Sequence, residues 1–284
     1  MFGRRPDGTL VRNAAPLRRF MPFISPRRND SLVLFSQELV VEEALRFVEQ
    51  RNATRPDDAP MTLFHLILRS IANVFDERPR LNRFVAGGRL WQRDGIWMTF
   101  SAKKRFSDEG VLTTVKRRVD PHASLDDWVD HLLGGIRDGK SEQKTTSDKE
   151  VDLLLRLPPP IVRVLMGLVH LADAFGLLPA SMIESDPMYT SVFVASLGSV
   201  GLDAGYHHLW EHGTCPVFCV IGRIHEGPDG RSDGGPDGRI HESPDGRRRA
   251  VLKWSYDERT EDGLYCAAGL ERIRELIESP QKLA

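Results

Sequence analysis

The sequence predicts an α/β protein, and three observations carry that prediction. An apolar strand over Ser31–Leu39 is followed at once by an amphipathic helical pattern over Val41–Gln50. Leu252, Trp254 and Tyr256 alternate with Lys253, Ser255 and Asp257, the two-residue period of a strand with two different faces. Directly after that strand comes a dense acidic turn ending at Gly263, and then helical spacing over Leu264–Ile277.

At 284 residues and 32.0 kDa the chain suits one large domain or two small ones. Hydrophobic residues make up 40% and charged residues 28%, as in an ordinary globular protein, and a formal net charge of −1 gives no field that would draw nucleic acid. Positive charge is concentrated at one end. Arg4, Arg5, Arg12, Arg18, Arg19, Arg27 and Arg28 make residues 1–30 a basic arm. It reads as solvated and partly flexible, ahead of a phosphate- or membrane-contacting alternative. Cys215, Cys219 and Cys266 give neither C-x-x-C nor an even framework, which fits reduced buried thiols in a cytoplasmic protein. The N-terminus has no apolar core of signal-peptide length, so secretion is not expected.

Taken in order, Leu32–Phe35 begins the first strand. Val41, Leu45 and Val48 form the apolar stripe of the helix after it, with Glu42, Glu43, Arg46 and Glu49 opposite. Thr62 is placed to cap a helix over Leu63–Phe75. His65 lies among Phe64, Leu66 and Leu68 as a core or boundary histidine, since no second ligand stands at helical spacing. Pro79 stops that helix, Gly87-Gly88 turns a hairpin into Leu90-Trp91, and Ile96, Met98, Phe100 and Ala102 alternate along a strand. Val111, Thr113 and Val115 mark another strand, and Ser124 with Asp127 forms a capping-box pattern ahead of a helix to about Ile136. The polar run from Gly139 to Lys149 reads as a loop.

Val151–Ile183 is Leu-rich and broken by Pro158-Pro159-Pro160. Arg163, His170 and Asp173 count against a membrane span, which needs about 20 residues with few charges. A helical pair covering the core or a subunit contact ranks first, a cap over an acyl-chain pocket second, and an interfacial lipid-contacting helix third. His207, His208 and His212 cluster in the sequence. On a helix, His208 and His212 would share a face, but without H-E-x-x-H or a further ligand a polar surface or trimer-interface cluster ranks above metal binding. Gly222–Arg231 recurs as Gly238–Arg247 with Ser243 in place of Gly227, and its Pro-Asp-Gly units are turn sequences. The repeat reads as the duplicated tip of a hairpin joining strands 216–223 and 249–256.

The acidic turn is where a known family comes into view. Asp257-Glu258-Arg259-Thr260-Glu261-Asp262-Gly263 resembles the D-H-R-x-x-D-G signature of dihydrolipoyl acyltransferases, the catalytic cores of 2-oxoacid dehydrogenase complexes. Chloramphenicol acetyltransferases share that fold. Pro79, Leu81 and Asn82 match the family's P-x-L-N segment before a hairpin. Ser191–Gly198 is similar to its F-T-I-S-N-L-G strand, and Pro216–Arg223 to its A-I-L-G-V-G strand. The resemblance covers roughly residues 30–277, with segment 151–183 inserted and loop 224–248 expanded. It implies a two-layer α/β sandwich with a mixed β-sheet over 31–284, normally a homotrimer. The active sites then lie between subunits, in a channel reached by coenzyme A from one side and the acyl acceptor from the other. A coenzyme A thioester is the implied substrate, with no tightly bound cofactor and no metal.

The chain departs from the family where the chemistry sits. The family's base is the motif histidine, replaced here by Glu258. The serine that hydrogen-bonds the oxyanion falls at Ala195, and Ser196 beside it points to the other face of a strand. The candidate catalytic set is Glu258, Asp262 and Ser196, with Asp257, Arg259 and Gly263 as structural residues of the motif. An ordinary glutamate at about 4.3 takes a proton from a thiol at about 8.5 only at a cost of roughly 5–6 kcal/mol, against roughly 3 for a histidine. Burial would narrow that gap, while an Arg259 facing Glu258 would widen it. Loss of an oxyanion donor costs a further factor of roughly 10²–10³. Transfer from acetyl-coenzyme A to dihydrolipoamide is therefore expected to be negligible, with Glu258 a structural carboxylate paired with an arginine. Three readings remain open: transfer between coenzyme A and an unknown acceptor, an inactive trimeric scaffold or binding protein of the same fold, or lipid or membrane association through Val151–Ile183.

Overall fold

The computed structural model describes residues 4–103, 112–140, 154–225 and 246–283. Its strands are β1 (Arg4–Arg5), β2 (Gly8–Leu10), β3 (Leu32–Val40), β4 (Arg83–Ala86), β5 (Arg89–Arg93), β6 (Ile96–Lys103), β7 (Leu112–Val119), β8 (Val192–Ser196), β9 (Val217–His225) and β10 (Arg249–Asp257). Its helices are α1 (Pro16–Ile24), α2 (Glu42–Asn52), α3 (Leu63–Glu77), α4 (Leu125–Lys140), α5 (Pro159–Ala174), α6 (Ala180–Ser185) and α7 (Gly263–Glu278). The main sheet runs β3-β10-β9-β8-β6-β7, and a smaller one runs β1-β2-β5-β4. In the main sheet β8 is parallel to both neighbours and every other pair is antiparallel, so the sheet is mixed as expected.

Two-residue alternation builds the core. Leu252, Trp254 and Tyr256 of β10, Val217, Cys219 and Ile221 of β9, and Val192 and Val194 of β8 all face the layer of α2, α3, α4 and α7. Burial pushes the Cys219 thiol and the Tyr256 hydroxyl well up, so both stay neutral at ordinary pH. Helix α3 is the most enclosed, buried at ten positions from His65 to Phe75. Its start is a capping box in which His65 stands where an acidic residue is usual. The Thr62 N–H donates to His65 Nδ1 at 3.0 Å. His65 is the expected core histidine, and burial holds its pKa down to about 4. Ser124 caps α4 as expected, accepting from Asp127 N at 3.2 Å.

The opposite face of the sheet carries a smaller cluster in which Phe193, Phe218 and Val220 pack with Leu209 and Cys215. Leu209 and Cys215 come from the stretch that follows β8, which crosses this face without regular structure. His208 and His212 therefore share no helix face, and the histidines part company. His212 Nε2 donates to Asp186 Oδ2 (2.6 Å) and its Nδ1 lies 3.2 Å from His170 Nε2, while His207 and His208 stack on each other.

Residues 4–30 are a solvated arm only in part: Arg12, Arg19 and Arg27 are exposed. Arg5 and Arg28 are buried, because carboxylates and carbonyls await them inside. Arg5 pairs with Asp7 at 2.9 Å and Asp173 at 2.8 Å, and Arg28 donates to the Trp210 and Gly213 carbonyls. The inserted segment does not cover the core either. No residue of α5 is buried, and Ile161, Val164, Leu168 and Leu171 are exposed. Its inner side rests through Val169 and Ala172 on Leu178, Ile183 and Tyr189. None of the described helices is long and apolar enough to cross a membrane. The Gly222–Arg247 repeat falls mostly outside the described residues. The strands flanking it pair antiparallel, Arg249 opposite His225, which is the expected hairpin.

Candidate active site

The signature turn leaves the end of β10 and is held by a buried ion pair. Asp257 accepts from the Arg259 backbone N–H at 3.1 Å, from Nε at 2.8 Å and from Nη2 at 2.8 Å. Arg28 adds a second cation at 3.7 Å from the same carboxylate. With two of its nitrogens on Asp257, Arg259 turns Nη1 to the Pro26 and Ser25 carbonyls at 2.7 and 3.3 Å. It has nothing left for Glu258. The expected Glu258–arginine pair is absent, and the Glu258 carboxylate is exposed with no ion-pair partner among the described residues. Only its backbone is engaged, with its carbonyl accepting from Arg18.

Asp262 ends the turn as the N-cap of α7. It accepts from the Tyr265 N–H at 2.9 Å, and that bond holds its carboxyl below the usual range. This is a structural task. Gly263 begins the helix with ordinary φ, and a Cβ there would meet nothing within 4 Å, so nothing in its surroundings requires glycine. Glu261, which the motif pattern passes over, is buried and pairs with Arg83 at 3.1 Å and Arg80 at 3.3 Å. A cleft of about 390 Å³ opens here between α1 and the turn, lined by Arg18, Arg80, Arg83, Glu258, Glu261 and Asp262 among others.

Ser196 lies elsewhere. In register it stands opposite Ile221, which stands opposite Leu252, six residues before Glu258. At about 3.3 Å per residue the two lie about 20 Å apart along the strands. Glu258, Asp262 and Ser196 therefore do not meet within one chain. Ala195 packs with Phe193 on the open face of the sheet, and Ser196 follows Val194 on the helix-covered side. On that face His207 lies over Phe218, its carbonyl accepting from Ser255 Oγ of β10. Its ring stacks on Phe218 at 4.1 Å and on His208 at 4.5 Å, and its Nδ1 sits 2.7 Å from the His208 carbonyl.

The path of the chain matches solved acyltransferase cores from end to end. A dihydrolipoamide acetyltransferase of Azotobacter vinelandii, studied for the catalytic roles of a serine, a histidine and an asparagine, superposes with a TM-score of 0.59 at 17% identity. The match covers 96% of this chain and 94% of that one. The catalytic core of a 2-oxoacid dehydrogenase complex from Thermoplasma acidophilum gives 0.57 at 12%, covering 95% and 98%. A chloramphenicol acetyltransferase gives 0.57 at 12%, covering 95% and 99%. The chain has the chloramphenicol acetyltransferase-like fold. No protein-family profile and no curated protein matches the sequence. Within this fold the turn after β10 is held by the Asp257–Arg259 clamp and the Asp262 cap. Among the described residues no three His, Cys, Asp or Glu side chains gather as metal ligands.

Proposed function

We propose that this protein transfers an acyl group between coenzyme A and an acceptor other than dihydrolipoamide, at a site completed between copies of a homotrimer. The observation that carries the reading is the register of the sheet. The signature turn and the Ala195 end of β8 lie about 20 Å apart in one chain, so a site needing both must draw them from two copies. The clamp and cap around the turn, with the cleft of about 390 Å³ beside it, support a retained binding frame. The exposed Glu258 and the Ala195 methyl favour the alternative, a scaffold of the same fold without chemistry.

Light scattering at micromolar concentration is expected to return a trimer, and calorimetry is expected to detect acetyl- or octanoyl-coenzyme A binding. Acetyl-coenzyme A is then offered N-acetylcysteamine, benzyl alcohol and benzylamine as thiol, alcohol and amine acceptors. Transfer to one class, with none to dihydrolipoamide, is the expected result. A monomer defeats the shared site. A trimer that binds neither thioester is the scaffold.

A further inference from the structure

We infer that α1 and α5 together form a surface that docks on a lipid bilayer containing anionic phospholipid. The inference stands apart from the acyl-transfer reading and does not depend on it.

The first argument is orientation. Leu17, Phe20 and Ile24 of α1 recur at i, i+3 and i+7, one stripe of the helix, with Phe23 beside it. A helix on a globular protein ordinarily turns such a stripe to the core, and this one turns it outward. Leu17 is 67% exposed and Phe23 66%. The side toward the protein carries the buried Pro22 and the polar contact of Arg18 with the Glu258 carbonyl. In α5, Ile161, Val164, Leu168 and Leu171 recur at the same spacing and are exposed as well. Four of the exposed large hydrophobic side chains lie in α1 and nine between Leu155 and Met182. All the other described residues supply six, so the apolar surface is concentrated on these two segments.

The second argument is adjacency. Both helices rest on the tip of the β4–β5 hairpin. A Cβ on Gly87 would lie 2.0 Å from the Ala174 carbonyl oxygen of α5, and one on Gly88 would lie 3.4 Å from the Phe23 ring of α1. Two consecutive residues thus touch both helices, which brings the exposed stripes into one region of the surface. Arg5 fixes the end of α5 there, donating to the Asp173 carbonyl at 2.7 Å and its carboxylate at 2.8 Å.

The third argument is charge. Arg12 and Arg19 stand exposed beside the first stripe and Arg156 and Arg163 beside the second, and none meets a carboxylate among the described residues. Residues 11–28 contain no Asp or Glu. Residues 154–183 contain only Asp173, which Arg5 takes up. The patch is apolar with a cationic fringe and no free anion. A bilayer with anionic headgroups answers both features: the stripes enter the acyl boundary, and each arginine near the surface adds attraction. A second copy meeting this face with its own would set arginine against arginine. Neither helix is long enough to span, and α5, roughly 24 Å along its axis, would lie in the plane of the interface. Leu17 also lines the cleft beside the signature turn, so the docking face borders that cleft.

Flotation of the full chain with vesicles tests this. The chain should float with vesicles of equimolar phosphatidylcholine and phosphatidylglycerol, bind phosphatidylcholine alone at least about tenfold more weakly, and be released by salt. Arg19→Gln with Arg163→Gln should lower the partition coefficient roughly 25-fold, about fivefold for each arginine. Phe20→Ser with Leu168→Ser should lower it roughly tenfold or more. All four side chains are exposed in the free chain, so melts of both variants without lipid should match wild type. Mixed vesicles should also slow tryptic cleavage of the wild-type chain after Arg19 and Arg163, a readout that needs no variant. Absence of flotation with the mixed vesicles overturns the proposal, as does equal binding to both compositions or binding that neither pair of substitutions weakens. Self-association in light scattering that Phe20→Ser abolishes, with no vesicle binding, shows that a second copy covers the face and overturns it too. Acyl transfer is assayed separately with soluble acceptors, so each of these failures leaves the reading of the active site as it stands.

Discussion

Replacing Arg259 with methionine separates the structural work of the signature turn from its chemistry. The change keeps an unbranched apolar stem and deletes the guanidinium. Asp257 is 0% exposed and would lose the bonds from Nε and Nη2, both 2.8 Å, while keeping the backbone N–H at 3.1 Å. Its nearest remaining cation would be Arg28 at 3.7 Å, and the Pro26 and Ser25 carbonyls would lose their donor. Removing one partner of a buried pair costs about 3–5 kcal/mol. Arg28 and the surviving backbone bond place this case near the lower end, about 3–4 kcal/mol. Unfolding entropy of about 2.1 cal/mol/K per residue gives roughly 0.6 kcal/mol/K for 284 residues, so Tm should fall by about 5–7 °C. Calorimetry and urea melts at one fixed protein concentration measure it. Asp257→Asn combined with Arg259→Met should cost less than the sum of the two single changes, and Glu258→Gln should stay within about 0.5 kcal/mol of wild type. An Arg259→Met protein within about 1 kcal/mol of wild type would refute the clamp.

Three further outcomes are expected. His65 has a folded pKa of about 4 against roughly 6.5 unfolded, so its contribution is complete above pH 6.5 and is lost as pH falls toward 4. Between pH 7 and pH 4.5 that loss is about 2–3 kcal/mol, and urea midpoints of wild type and His65→Gln should converge on acidification. Gly87 has φ +57°, and a Cβ there would lie 2.0 Å from the Ala174 carbonyl oxygen. Gly87→Ala should destabilise by about 1–3 kcal/mol and speed proteolysis within α5. Ala195→Ser with Glu258→His should give detectable acetyl transfer to dihydrolipoamide where the native chain shows none, measured by acetyl-dihydrolipoamide formation.

Much of the frame was legible because it is written in local patterns. The β10 alternation, the Ser124 cap and the Pro79 stop each depend on residues a few positions apart. What escaped depends on distant partners. Glu261 owes its burial to Arg80 and Arg83, some 180 positions earlier, and a charge run gives no sign of such a pairing. The basic residues near the N-terminus read as solvated because Asp173 and the Trp210 carbonyl, which draw two of them inside, are nowhere near in sequence. Arg259 choosing Asp257 over Glu258 follows from turn geometry, which puts residues i and i+2 on one side. In an extended stretch His208 and His212 have no shared face.

The bonds from Arg259 to the Ser25 and Pro26 carbonyls span 234 and 233 positions, and among the described residues β3 has β10 as its sole strand neighbour in the sheet. Leu32–Val40 therefore waits for Arg249–Asp257 to be made before it can pair. Topologies dominated by such distant pairings fold slowly, and a waiting edge strand is exposed to association with other chains. Truncated products ending before residue 249 would carry Leu32–Val40 unpaired, and they should depend on chaperones or aggregate.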